Sequence, residues 1–407
     1  MCFFRINSLL TVIPGLRALA IAIPVILHVF SSCDKGTEPT ITGNTIALTN
    51  CTLIDGTGHA PILNAAIVIS DGLIVAVGPA DSTTVPTDAR VMNVHGATVL
   101  PGFINAHVHS GFDRENLATW ANSGVTTVRD LAGPSSFAWK EKISKDPYCA
   151  LLVAAGPMIS VPNGYPLVPW GSPNMLPVNS PEEAQIEVAQ LLDSGADIIK
   201  LAMESGEAFK MTIPSLTPEE ALAAVNAAHQ HGTIASAHVL VTRDLARAVE
   251  AGVDDIAHMV VDYLPDSIID VMLDDSVLWV PTLELWHHVG GGMGEAAVSN
   301  LRKYVQAGGK IALGTDFDGY NARFELGMPM HEMEWMSQAG MSPMQVIVAG
   351  TRNAALACNR LADLGTLEAG KIADVLVVNG NPLEDIHNLA NIRLVIHRGV
   401  IIRDLES

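Results

Sequence analysis

The sequence predicts an α/β protein: a (β/α)8 barrel of the TIM type carrying a small β-sandwich built from both chain ends. Three observations lead there. Through the middle of the chain, apolar strand-like runs alternate with helical stretches, eight strand–helix units in a row. The strand runs are almost continuously apolar, as strands covered on both faces by crossover helices are. At the two ends, short β-like pieces separated by Gly and Asp-Gly turn signals replace that alternation.

The elements follow in chain order. Residues 1–33 read as a signal peptide, with Arg5 and Arg17, an apolar run from Ala18 to Phe30, then Ser31, Ser32 and Cys33. The run is too short for a membrane span, which takes about 20 residues, and suits the h-region of a secretory signal. A Cys after small residues is similar to a bacterial lipobox, although Phe30 stands where Leu is usual. Cys33 then becomes the lipid-attachment site, and the protein an exported periplasmic or cell-surface lipoprotein of a bacterium. Residues 34–44 are a polar tether. Residues 45–98 form the first part of the sandwich, through NTIALTNCTLIDG, AAIVISDGLIVAVG and ARVMNVHGATV. Residues 365–407 form the second, through KIADVLVVNG and IRLVIHRGVIIRD.

Residues 99–364 form the barrel. Its strands are TVLPGFINAHVH, which begins at the boundary, then VTTVRDLAG, LLVAAGPMIS, ADIIKLAME, IASAHVL, DDIAHMV, LWVPTLELW and IALGTDFDG. Between them, PEEAQIEVAQLLDSG has Pro at a helix start, acids in the first turn and Gly after the last. TPEEALAAVNAAHQHG repeats that grammar with Thr217 as N-cap, and TRDLARAVEAG and AVSNLRKYVQAGG follow. A barrel of this kind places its chemistry at the C-terminal strand ends.

Composition narrows the partners. The chain has 407 residues, 49% of them hydrophobic, and 23 Lys and Arg against 43 Asp and Glu, a net charge of −20. That balance argues against nucleic acid and against an anionic membrane surface, both of which want basic patches. Membrane contact is then confined to the N-terminal lipid anchor, and the partner is a small-molecule substrate. Barrels of this type often associate as homo-oligomers, but no sequence feature shows it here. Of five cysteines, Cys2 leaves with the signal and Cys33 takes the lipid. Cys51, Cys149 and Cys358 are far apart, with no CxxC, and read as small buried residues rather than disulfide partners or zinc ligands.

The stretch PGFINAHVH sets His107 and His109 two residues apart at a strand end, where i and i+2 share a face. Lys200 lies near the end of the fourth strand, His238 ends the fifth, His258 the sixth and Asp316 the eighth. Singly, each has an ordinary explanation: a core histidine, a turn aspartate, a lysine stem snorkelling to water. Four histidines and an aspartate at C-terminal strand ends of one barrel point instead to a metal centre of the zinc type. Lys200 is the odd member, because an ammonium has three donors and no acceptor. Composition and spacing leave its role open.

With these residues in place, the chain resembles the amidohydrolase superfamily, in its imidazolonepropionase-like and metal-dependent dipeptidase branch, over residues 45–404. The resemblance rests on PGFINAHVH, SGVTTVRDLAG, GADIIKLAMESG, SAHV, IAHM, LGTDFDG and GTLEAGKIADVLVVNGNPLEDI. It implies two divalent ions, zinc in type, and Lys200 carboxylated to N6-carboxylysine as their bridge. His107, His109 and Asp316 would hold the first ion, and His238 and His258 the second. Two such ions share a hydroxide and lower its pKa. Asp316 would orient the hydroxide, take its proton and pass it to the leaving nitrogen. The implied reaction is hydrolysis of a C–N bond, in an amide or dipeptide-like substrate.

The sequence departs from the dipeptidases of that branch at Val239 after His238, where an aromatic is expected, and at Ala257 before His258, where Glu is expected. HVLVTR offers no Glu after His238, which weighs against deamination. Hydrolysis of a cyclic amide, lactone or phosphoester on the same site is the alternative activity. A non-catalytic ligand-binding surface lipoprotein is the alternative from another class, and the complete ligand set weighs against it. For substrate contacts the sequence offers Tyr165 and Trp170 in the Pro- and Gly-rich loop 160–178, and His287 after the seventh strand. His229 and His231 suit a helix C-terminus. His331 reads as packing or surface, and His59, His95, His387 and His397 as structural.

Overall fold

The computed structural model describes residues 45–319 and 324–405, all but the side chain of Pro169. The signal segment, Cys33 and the tether expected at residues 1–44 lie outside the described residues. Among those described, no helix is long and apolar enough to cross a membrane.

Both chain ends meet in one eight-stranded sheet. From the N-terminal side come β1 (Ile46–Leu53), β2 (Ile62–Ser70), β3 (Leu73–Pro79), β4 (Arg90–Asn93) and β5 (Thr98–Pro101). The central strands are β6 (Phe103–Val108), β7 (Val125–Asp130), β8 (Leu151–Ala154), β9 (Met158–Ser160), β10 (Met175–Pro177), β11 (Ile199–Ala202), β12 (Ala235–His238), β13 (Asp255–Ala257) and β14 (Leu278–Val280). From the C-terminal side come β15 (Val375–Val378), β16 (Ile392–His397) and β17 (Val400–Asp404).

The join is made by β5, which pairs parallel with β1 and antiparallel with β15, Val99 opposite Val377 and Leu100 opposite Leu376. Alternate side chains leave a strand on opposite faces. Val375 and Val377 therefore enter a core shared with Leu48, Ile67 and Val99, while Leu376 and Val378 enter the main core with Leu100. The ladders thus join the two β-rich ends of the chain in one sheet, as expected of a small β domain drawn from both ends. Its N-terminal part extends to Pro101, past the expected boundary at residue 98. The run expected as one strand breaks at Gly102, where a Cβ would lie 2.3 Å from Thr126 Oγ1. That close approach turns the chain from the end sheet into the central one.

The central strands form two parallel sections, β6–β7–β8 and β10–β9–β11–β12–β13–β14. The expected third strand is split into β8 and β9 around Gly156, whose φ is +73°. The expected eighth strand, IALGTDFDG, makes only single bridges, Ile311 with Trp279 and Phe317 with Val108. Its backbone still reaches both neighbours: Ala312 N–H donates to Trp279 O (2.9 Å) and Ala106 N–H to Leu313 O (2.8 Å). Within it a Cβ at position 314 would lie 2.4 Å from Val280 Cγ1 and 2.9 Å from His107 Cβ, and Asp316 has φ +64°, outside the strand region.

Two helices begin where the sequence places them, while the helix expected from Ala297 starts at Met293, and Leu283–Val289, expected as the end of the seventh strand LWVPTLELW, is helical. Ser180 Oγ accepts the Glu183 N–H ahead of Pro181–Asp193, and Thr217 forms a capping box with Glu220 ahead of Pro218–Gln230. Each cap is worth about 1 kcal/mol. Within the strands, a buried Arg129–Asp255 pair (2.7 and 3.0 Å) takes further bonds from Ser236 Oγ and to the carbonyls of Ala106 and Ala357. Every charge in it is met, the condition for tolerating such a pair in a core. Cys51, Cys149 and Cys358 are free and buried, as the sequence suggested.

Candidate metal centre

His107 belongs to β6 and His109 follows it; their rings lie 5.3 Å apart between centroids, and each Nε2 is 3.0 Å from Asp316 Oδ1. His238 closes β12, and His258 follows β13 directly. The His258 ring is 4.7 Å from that of His107 and 4.6 Å from that of His238. One ligand atom each from His107, His258 and Asp316 can be chosen so that all three lie within 4.8 Å of one another.

The backbone is bent to bring these groups together. His258 (φ +71°), Thr282 (φ +49°) and Asp316 (φ +64°) are in the left-handed region. Such conformations cost about 1–3 kcal/mol each and persist where the surroundings impose them. Here Thr315 N–H and Asp316 N–H both donate to His107 O, at 3.2 and 2.9 Å. Asn105 braces the same crossing, donating to Thr315 Oγ1 and accepting the Thr315 N–H. Thr282 sets its hydroxyl 2.9 Å from His258 Nδ1, leaving Nε2 as that ring's free nitrogen.

The donor set suits a cation. Both ring nitrogens of His107 and of His238, Asp316 Oδ1 and Lys200 Nζ are buried with no aligned hydrogen-bond partner. A polar atom left so is costly unless something else meets it. Burial drives the His107 pKa down to about 3, outweighing the pull of Asp316, and takes His238 and His258 below the usual histidine range. Burial alone would raise the Asp316 carboxyl, but the surrounding His107, His258 and His109 hold it well below the carboxylate range. His109 goes the other way: burial lowers it, but Asp316 and Asp130 lift it above the usual histidine value. Neutral His107, His238 and His258 beside an ionised carboxylate are protonation states that suit cation binding. Lys200, in β11, is fully buried, and burial lowers its pKa to about 7 against the pull of Asp255 and Asp316.

The residues suggested for substrate contact part company. Tyr165 stacks on His238, with centroids 4.1 Å apart and planes 20° apart. Trp170 is 64% exposed, meets Phe209 edge-on at 5.6 Å and hydrogen-bonds with the Tyr165 side chain. His287 stacks on Trp335 at 3.4 Å and presses on Gly294, so it packs between helices. Its neighbour Trp286 is the aromatic near the centre, 6.5 Å from His258. Two residues escaped the sequence reading. Thr282 was inconspicuous two positions after β14. Glu204, four residues after Lys200, is fully buried with Oε2 3.7 Å from His238 Nε2; an acid just beyond a ligand-bearing strand was the available signal.

Comparison with known proteins decides the family. The amidohydrolase family matches residues 98–402. The chain belongs to the amidohydrolase family. Among its relatives in this family, the ochratoxinase of Aspergillus niger is 28% identical over 408 residues, covering 85% of this chain and 83% of that one. The imidazolonepropionase of Symbiobacterium thermophilum is 24% identical over 392 residues, covering 79% and 85%. The crystal structure of a Xaa-Pro dipeptidase with methionine bound in its active site superposes with a TM-score of 0.76 at 26% identity, covering 88% and 99%. The imidazolonepropionase and prolidase-like relatives match the branch that the motifs indicated.

Proposed function

We propose that this amidohydrolase is a metal-dependent hydrolase of C–N bonds in small molecules, acting on an amide or dipeptide-like substrate. The observation that carries the reading is the cluster in which His107 and His109 face Asp316 Oδ1 and the His258 ring contacts those of His107 and His238, with one ligand atom each of His107, His258 and Asp316 within 4.8 Å of one another. The relatives support the bond type, and the Xaa-Pro dipeptidase supports the dipeptide-like end of the range. In this reading the two parallel strand sections are the wall of a (β/α)8 barrel, closed by segment 311–317, and the centre sits at its C-terminal rim.

Two divalent ions, zinc in type, would be held by His107, His109 and Asp316 and by His238 and His258. They would supply a water of lowered pKa and polarise the scissile carbonyl. The chain's own groups do the rest. Asp316, ionised and directed by two imidazoles, takes the proton of the attacking water and delivers it to the leaving nitrogen. Lys200 loses its proton readily because it is buried, and a neutral amine is the form that adds carbon dioxide. The resulting N6-carboxylysine presents oxygen acceptors where an ammonium has none. Tyr165 and Trp286 flank the imidazoles and limit the approach of water.

Elemental analysis of purified protein, paired with Lys200→Ala, tests this. About two equivalents of metal per chain, falling in the variant, with turnover of dipeptides or N-acyl amino acids, supports it. One equivalent insensitive to Lys200 moves the reading to a mononuclear site and cyclic amides. No metal after growth with zinc and bicarbonate overturns it.

A further inference from the structure

We infer that Glu204 is a positioning residue for His238, accepting the Nε2–H of that imidazole and so assigning Nδ1 as its ligating nitrogen. The inference rests on the metal-centre reading above and adds to it a residue that the six-ligand pattern does not contain.

Glu204 has no solvent exposure. Its Oε1 accepts the Gly206 N–H at 2.5 Å, but Oε2 has no hydrogen-bond partner and faces His238 Nε2 at 3.7 Å. On the other side of the gap, neither nitrogen of His238 is hydrogen-bonded. The His238 ring is held in place from two sides, by the stacked Tyr165 ring and by the edge contact with His258. Those contacts fix where the ring sits and leave open which nitrogen carries the proton. Glu204 is the acidic group within reach that can decide it. His258 is treated in parallel fashion, with the neutral Thr282 hydroxyl at its Nδ1.

The local structure is built to hold the carboxylate there. β11 pairs in parallel with β12, Ala202 opposite His238, and Met203 N–H donates to His238 O at 3.0 Å. The chain then turns at Gly206, φ +87°, where a Cβ would lie 2.6 Å from Met211 O. Ser205 anchors the turn through its N–H and hydroxyl to Asp244 Oδ2, at 3.0 and 2.6 Å. A buried carboxylate oxygen without a donor is a liability in the metal-free protein. An imidazole ligating through Nδ1 is a stronger Nε2–H donor, and histidine ligands usually give that proton to a carboxylate or carbonyl.

Glu204→Gln tests this by stability and metal binding rather than turnover. Chelator-stripped wild type and variant are compared by thermal unfolding. Zn2+ affinity is then measured by chelator competition, and the Co2+ absorption spectrum recorded. The expected result is a stripped Tm close to wild type, because Gln keeps the side-chain volume and the oxygen that accepts the Gly206 N–H. Zn2+ affinity at the site that includes His238 should fall about 10- to 100-fold, with an altered Co2+ spectrum, and Glu204→Asp should restore part of the affinity. Wild type that binds two Zn2+ beside a Gln variant of unchanged affinity and spectrum overturns this inference alone. A lowered stripped Tm with an affinity loss that Asp does not restore overturns it too, as a folding defect. Wild type that binds no Zn2+ overturns the metal-centre reading and this inference with it.

Discussion

Replacing Lys200 with Met should stabilise the metal-free protein. The Lys200 Nζ is buried without a hydrogen-bond partner, and its pKa falls from 10.5 to about 7 because burial disfavours the ammonium. The unfolded chain keeps the ordinary lysine value. Below about pH 7 both states are protonated and the folded state carries the whole penalty. Between about 7 and 10.5 the unfolded state binds more protons than the folded one, so stability rises with pH across that window. A shift of about 3.5 units at 1.36 kcal/mol per unit sets the penalty near 5 kcal/mol as an order of magnitude. Lys200→Met removes both the penalty and the slope. The assay is urea unfolding of chelator-stripped protein, in buffer freed of carbon dioxide, at intervals from pH 6.5 to 10. The variant should be more stable by several kcal/mol at pH 7, and the two curves should converge towards pH 10. A variant less stable at pH 7, or a pH slope that survives the substitution, would refute the reasoning.

Three further outcomes follow from the geometry. Asp316→Asn should keep the fold and lower kcat by about 10²- to 10⁴-fold, since the amide cannot carry the proton between water and leaving nitrogen; steady-state kinetics reads it. His287→Ala should leave kcat/KM within about twofold, while losing its stack on Trp335 costs about 0.5–1.5 kcal/mol by urea denaturation; a large kinetic loss would return His287 to the substrate. Arg129→Met should destabilise by about 3–5 kcal/mol, because Asp255 is left buried and unpaired; unfolding at the wild-type midpoint would contradict that.

The candidate ligands were legible because each sits in or just after an apolar, strand-like run, and such runs show in local patterning. Thr217 as a cap was legible for the same reason: a cap is decided by residues three apart. The fate of His287 was not, since its place after β14 says nothing about the helix rotation that turns it onto Trp335 and brings Trp286 toward His258. Nor was the pairing of β5 with β15 that makes the join of the two ends, since the partner lies far along the chain.

By itself, then, the sequence determined the family, the alternation of strands and helices, and the order of the metal-capable side chains along the chain. These are local or sequential properties. Tertiary structure alone decided which of those side chains meet, that His258 and Asp316 are held in left-handed backbone to do so, and that Glu204 stands behind His238. Each of those depends on contacts between segments remote in sequence, such as Asn105 with Thr315 and Ser205 with Asp244, where packing geometry rather than local propensity sets the outcome.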